Sequence, residues 1–163
     1  MKRALAVALI AIVAGLLVGL GSVHAGKPAR QAATPLPGLP SYVAGYRSWR
    51  RLNRRPITPS SSPHPGIHNV YVSKSPSTKG GIKYPYGSIV VKEGHAPGKA
   101  LIDLIAIMRK TKGADPKHGD WKWAEYTRSS ATEKFSVIGS GPTCWGCHGL
   151  VAKRDWVYTK PGS

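Results

Sequence analysis

The chain has 163 residues, with 24 Lys and Arg against 7 Asp and Glu, for a formal net charge of +17. That length fits one domain; two cysteines exclude a disulfide-dense scaffold, 41% hydrophobic residues exclude a polar disordered chain, and 19 Gly with 14 Pro exclude a bundle of long helices. The positive charge points to an anionic partner, and nucleic acid is the first to test.

Residues 1–25 read as a secretory signal peptide. Lys2 and Arg3 precede an apolar run from Ala4 to Leu20, and Val23-His24-Ala25 is a small-x-small cleavage site. An uncleaved anchor is the rival reading, but the run is short for a comfortable span. Export to the periplasm or the medium removes nucleic acid as a partner. The charge is then left to solubility, an anionic surface, an acidic redox partner or a plain solvated face. Residues 26–40, rich in Pro, Ala and Gly, read as a flexible N-terminal linker. The folded domain is expected over 41–163.

Tyr42, Gly45, Tyr46, Trp49 and Leu52 recur at spacings of three and four, which predicts a helix capped by Ser41 and stopped by Pro56. Its other side carries Arg47, Arg50, Arg51, Arg54 and Arg55, a solvated face or a source of one partner for a cofactor carboxylate. A loop over 56–66 leads to a strand, Ile67 to Val72, with His68, Val70 and Val72 on one face. A second strand is expected from Ser88 to Glu93. Its Ile89-Val90-Val91 run suggests burial on both faces, with Lys92 on the same face as Val90. Ala100 to Met108 is apolar except for Asp103; its isoleucines favour strand, with a short helix as the alternative. Residues 109–120 form a basic loop. Trp121, Trp123 and Glu125 alternate against Lys122, Ala124 and Tyr126 as in a strand, and Phe135 to Ile138 reads as another. The expected architecture is mainly β with short helices: an antiparallel sheet with a helix at each end.

Cys144-Trp145-Gly146-Cys147-His148 is the decisive motif. Cys-x-x-Cys-His is the attachment signature of c-type haem. Two thiols on one helical turn add to the two porphyrin vinyl groups, and the next residue places an imidazole at the iron. Thr143 is the expected N-cap of the helix, and Pro142 fixes the turn before it. Cys144 and Cys147 are thus the expected attachment residues and His148 the expected iron ligand. A zinc site would need a fourth ligand, and a thioredoxin-like pair would need a parallel βαβ setting; a simple disulfide is the remaining rival. The motif lies near the C-terminus, whereas small electron-transfer cytochromes c carry theirs near the N-terminus with a ligating Met downstream. Here no Met follows His148, and Met108 is the only one after the signal peptide.

The chain resembles the cytochrome P-460 family from about Tyr46 to Thr159. The matching pieces are Tyr46-Arg47-Ser48-Trp49, Val70-Tyr71-Val72, Gly87 through Glu93 (GSIVVKE), Gly119-Asp120-Trp121, the haem motif itself, and Asp155-Trp156-Val157-Tyr158-Thr159. The resemblance implies a mainly β, homodimeric, periplasmic monohaem protein with an open distal side and a C-terminal haem-binding helix. In hydroxylamine-oxidising members a lysine is bonded to a porphyrin meso carbon, and Lys92 occupies that position. The plain alternative for Lys92 is a snorkelling side chain near a strand end. Such members carry a distal arginine where this sequence has His68. They also use a distal carboxylate as proton acceptor; Asp103 is the acid considered for that role, with a loop or cap residue as its alternative.

Three functions follow from the resemblance. The first is oxidation of hydroxylamine to nitrous oxide or nitrite at a five-coordinate haem, with Lys92, Asp103 and His68 as catalytic residues. The second is binding of nitric oxide, as in cytochrome c-prime-beta. The third is periplasmic electron transfer, with a sixth ligand from His68, His95 or Met108.

Overall fold

The computed structural model describes residues 34–58 and 64–163. The expected signal peptide and residues 26–33 of the linker lie outside them. Six strands follow one another: β1 (Arg50–Arg51), β2 (Ile67–Val72), β3 (Ile89–His95), β4 (Leu104–Lys110), β5 (Trp121–Thr127) and β6 (Ser136–Ser140). They form one antiparallel sheet whose spatial order is the chain order, β1-β2-β3-β4-β5-β6. Among the described residues one α-helix, α1 (Pro142–His148), follows, and a kinked 3-10 segment, Gly149–Arg154, continues from it.

Both faces of the central strands are covered, which is why β3 and β4 lack a clean polar alternation. On one face Val70, Val72, Val90, Met108, Trp121 and Trp123 pack with Leu52, Tyr84 and Val157, and Cys144 and Trp145 of α1 lie against them. On the other, Val91, Ile105, Ile107 and Tyr126 pack with Leu39, Val43, Tyr46 and Phe135. Each such side chain removed from water contributes about 1.5–3 kcal/mol. Consecutive residues of β3 therefore serve opposite layers. Glu93 turns toward the second layer, where Tyr46 Oη donates at 2.6 Å, Arg47 Nε at 2.8 Å and Tyr71 Oη at 3.1 Å.

The helix expected from Ser41 does not form. Two single 3-10 turns, Ser41–Val43 and Tyr46–Ser48, stand there instead, followed by β1. Gly45 at φ 68° leaves the right-handed region, and Trp49 is extended at φ −76°, ψ 170°. The apolar spacing had a different cause: Val43 and Tyr46 cover one face of the sheet while Leu52 belongs to the other. No straight helix can serve both. Arg47 is taken up by Glu93 rather than by a cofactor carboxylate.

The strand reading of the segment around Asp103 holds, but it starts at Leu104 and runs on through Arg109 and Lys110. Lys110 remains in the strand because its ammonium is buried against Asp155. Thr143 does not cap α1. Gly141 precedes the helix without a side-chain cap, and Pro142 occupies the first turn, where its missing N–H costs nothing.

Candidate functional site

Sheet pairing assembles a row of residues across one face. Val70 of β2 stands opposite Lys92 of β3, Lys92 opposite Ala106 of β4, Ala106 opposite Glu125 of β5, and Glu125 opposite Gly139 of β6. Val70, Lys92, Ala106 and Glu125 line a cavity of about 860 Å³. The small Ala106 between the two charged side chains leaves space over the sheet. Val90, Met108 and Trp123 add apolar wall, and Val157 closes it from the C-terminal segment.

Helix α1 brings Cys144, Cys147 and His148 to the same cavity. Both cysteines are free thiols, and burial pushes the Cys144 thiol up, keeping it protonated. His148 is held from three sides. Its Nδ1 lies 2.7 Å from the Trp156 carbonyl, and its ring meets Trp123 and Tyr158 edge-on at 4.8 and 5.1 Å. A carbonyl can only accept, so Nδ1 carries the proton and Nε2 presents its lone pair. Burial also holds the His148 pKa below its usual range, which favours this neutral form. Tyr158 Oη donates to the Cys147 carbonyl at 2.9 Å and fixes the last turn of α1.

The Trp156 carbonyl reaches His148 because two residues sit in the left-handed region, Asp155 at φ 54° and Trp156 at φ 67°. Neither is glycine, and such positions cost on the order of 1–3 kcal/mol each. The turn is tied down on every side. Lys110 Nζ donates to both Asp155 carboxylate oxygens, Tyr84 N–H donates to Oδ2 at 2.7 Å, and Trp121 Nε1 donates to the Asp155 carbonyl at 3.0 Å.

The cavity also holds several charged groups. Burial lowers the Lys92 pKa to about 8, with Glu125 acting weakly in the opposite direction. His64, from the loop before β2, places Nδ1 2.8 Å from Glu125 Oε1. Arg55, Arg154 and Lys160 also line the cavity, so a ligand bearing carboxylates would find cations there. Trp123 Nε1 is buried with no hydrogen-bond partner.

Of the residues singled out in the sequence, Cys144, Cys147, His148 and Lys92 meet at this cavity, and Met108 forms part of its wall. His68 and Asp103 are not among the residues that line it. His68 is fully buried under β3, its Nε2 donating to the Pro65 carbonyl at 2.9 Å. Burial first, and Lys92 second, lower its pKa to about 4, so it is neutral. Asp103 sits just before β4, where its backbone N–H donates to Gly94 and its carbonyl accepts from Arg128 N–H. The acid in the cavity is Glu125. The two-residue alternation from Trp121 through Trp123 already placed it on the tryptophan face. His64 lies in a Pro/Ser loop that offers no such signal.

The arrangement fits a covalently held haem. Two unbridged thiols stand on one helical turn beside a neutral imidazole with a free Nε2. The cavity is cofactor-sized with a largely apolar surface, and its charged groups are cationic apart from Glu125, which pairs with His64. No curated protein matches the chain. The model of the cytochrome P460 family matches it over residues 43–159, and the chain belongs to that family. It is a c-type haem cytochrome, with one covalently attached haem c and its iron.

Proposed function

We propose that this cytochrome P460 family member is an exported enzyme that oxidises hydroxylamine to nitrous oxide or nitrite, with Cys144 and Cys147 tethering the haem and His148 ligating its iron. The carrying observation is the convergence of Lys92, Glu125 and the open Nε2 of His148 on one cavity. When bound there, haem supplies a metal that accepts substrate electrons and passes them on. The protein's part is proton handling and positioning. Glu125 accepts a proton from the substrate N–H or O–H, and His64, 2.8 Å away, orients the carboxylate. The apolar walls of Val70, Val90 and Val157 exclude water from the reacting centre.

Lys92, with a pKa near 8, has an appreciable neutral fraction near neutral pH. Its Nζ is the group for the family's lysine–porphyrin bond. That bond replaces one N–H and one C–H, and its two electrons and two protons pass to a peroxide-class oxidant. Arg55, Arg154 and Lys160 are placed to pair with the haem carboxylates. The protein works in the periplasm as a homodimer and delivers electrons to an acidic partner.

The test is hydroxylamine-dependent reduction of a dye acceptor by the holoprotein, with a tryptic peptide joining Lys92 to haem as its companion. Turnover with nitrous oxide or nitrite as product supports the reading. No turnover, an unmodified Lys92 peptide and tight nitric oxide binding would replace it with gas binding.

A further inference from the structure

The buried pair Lys110–Asp155 does not touch the cavity, yet it ends one covalent step from the group that orients His148. A buried ion pair is weak support for stability as such, because the charges must be stripped of water. Its position is more telling. Asp155 is the first of two consecutive non-glycine residues at positive φ, and Trp156, the second, offers the carbonyl 2.7 Å from His148 Nδ1. The carboxylate is gripped by Lys110 at the end of β4 and by the Tyr84 N–H, so both the sheet and the segment before β3 hold it. The Asp155 carbonyl is pinned separately by Trp121 Nε1. With those ties the peptide between Asp155 and Trp156 has one orientation; the next peptide, held by the Val157 N–H donating to the Arg154 carbonyl at 3.4 Å, carries the Trp156 carbonyl that faces the imidazole.

We infer that Asp155, locked by Lys110, is the positioning residue for the proximal imidazole, and that this pair sets the strength of the His148–Trp156 hydrogen bond and through it the redox poise of the haem. A carbonyl on Nδ1–H raises the basicity of Nε2 and favours the oxidised metal. Loosening the turn lengthens that bond, makes His148 a weaker donor and shifts the balance toward the reduced state. The inference rests on His148 as the haem ligand.

The experiment uses holoprotein carrying Lys110→Met together with Asp155→Asn. The double replacement leaves no unpaired buried charge, so it disturbs the fold less than either single change; Asp155→Asn alone is the second variant. Midpoint potential and the iron–histidine stretching band of the reduced protein are read, neither of which depends on turnover. The expected result is a band at lower frequency and a ferrous:ferric ratio raised three- to tenfold at fixed potential, the upper value being about 59 mV. An unchanged potential and band in a folded, fully haem-loaded double variant overturns the inference. A parental reduced spectrum with no iron–histidine band removes the ligand reading beneath it, a different failure with a different signature.

Discussion

Lys92 and Glu125 occupy the same cross-strand row, with only Ala106 between them, and both side chains enter the cavity that receives Cys144, Cys147 and His148. An amine and a carboxylate thus share one otherwise apolar floor, and the proposed proton handling rests on that juxtaposition.

Glu125→Gln should reduce hydroxylamine turnover by about 10²–10⁴-fold, the usual contribution of a positioned general base. Haem attachment should be unchanged, because the thioethers are made by Cys144 and Cys147 of α1 while Glu125 lies on β5. Asp103→Asn should leave turnover near the parental level, since Asp103 is not in the cavity lining. Steady-state kinetics on both variants check the pair; the opposite ranking would return the role to Asp103.

Stability should fall in mild acid. His68 has a folded pKa near 4 against about 6.5 in the unfolded chain, so between those values the unfolded state binds more protons. Stability from this residue is complete above pH 6.5 and is lost as pH drops through 4. The effect should be about 1–3 kcal/mol. Denaturant melts of holoprotein at pH 7.5 and 5, compared with His68→Gln, isolate it, because haem-ligated His148 does not titrate there.

Gly94→Ala should destabilise the protein by about 1–3 kcal/mol. A Cβ at Gly94 would stand 2.8 Å from His68 Cδ2 and 3.1 Å from its Nε2, and His68 has no room to retreat. Thermal unfolding followed at the haem absorbance measures the loss.

Replacing both Cys144 and Cys147 with Ala in a Lys92→Met background, which lacks the proposed third bond to the porphyrin, should leave haem extractable by acidified organic solvent, whereas the parent retains it. Either single replacement should keep one thioether and resist extraction. Haem retained by this triple variant would show an attachment elsewhere.

The motif and the strands were legible in the sequence for different reasons. Cys144-Trp145-Gly146-Cys147-His148 announces its chemistry because the spacing is itself the mechanism. Strands β2 and β5 show because their apolar residues follow the pleat, and β3 because its short apolar run is bounded by turn-rich segments. The segment from Ser41 to Leu52 misled because a spacing of three and four also arises when a chain crosses from one face of a sheet to the other, as Tyr46 and Leu52 do. Asp103 drew attention as an acid in an apolar run, but strand pairing, which decides who shares a cavity, joins Lys92 to Glu125 across two neighbouring strands. Asp155 carried no sign of its role, since its importance lies in a positive φ and a buried partner 45 residues away in sequence.

Because strand order equals chain order, every pairing in the sheet joins segments that follow one another along the chain. Such a meander needs only local closures, over connections of 8 to 16 residues, at each step. The tether for the cofactor comes only after the last strand, so the wall of the pocket can be laid down before the group it shelters is fastened in place.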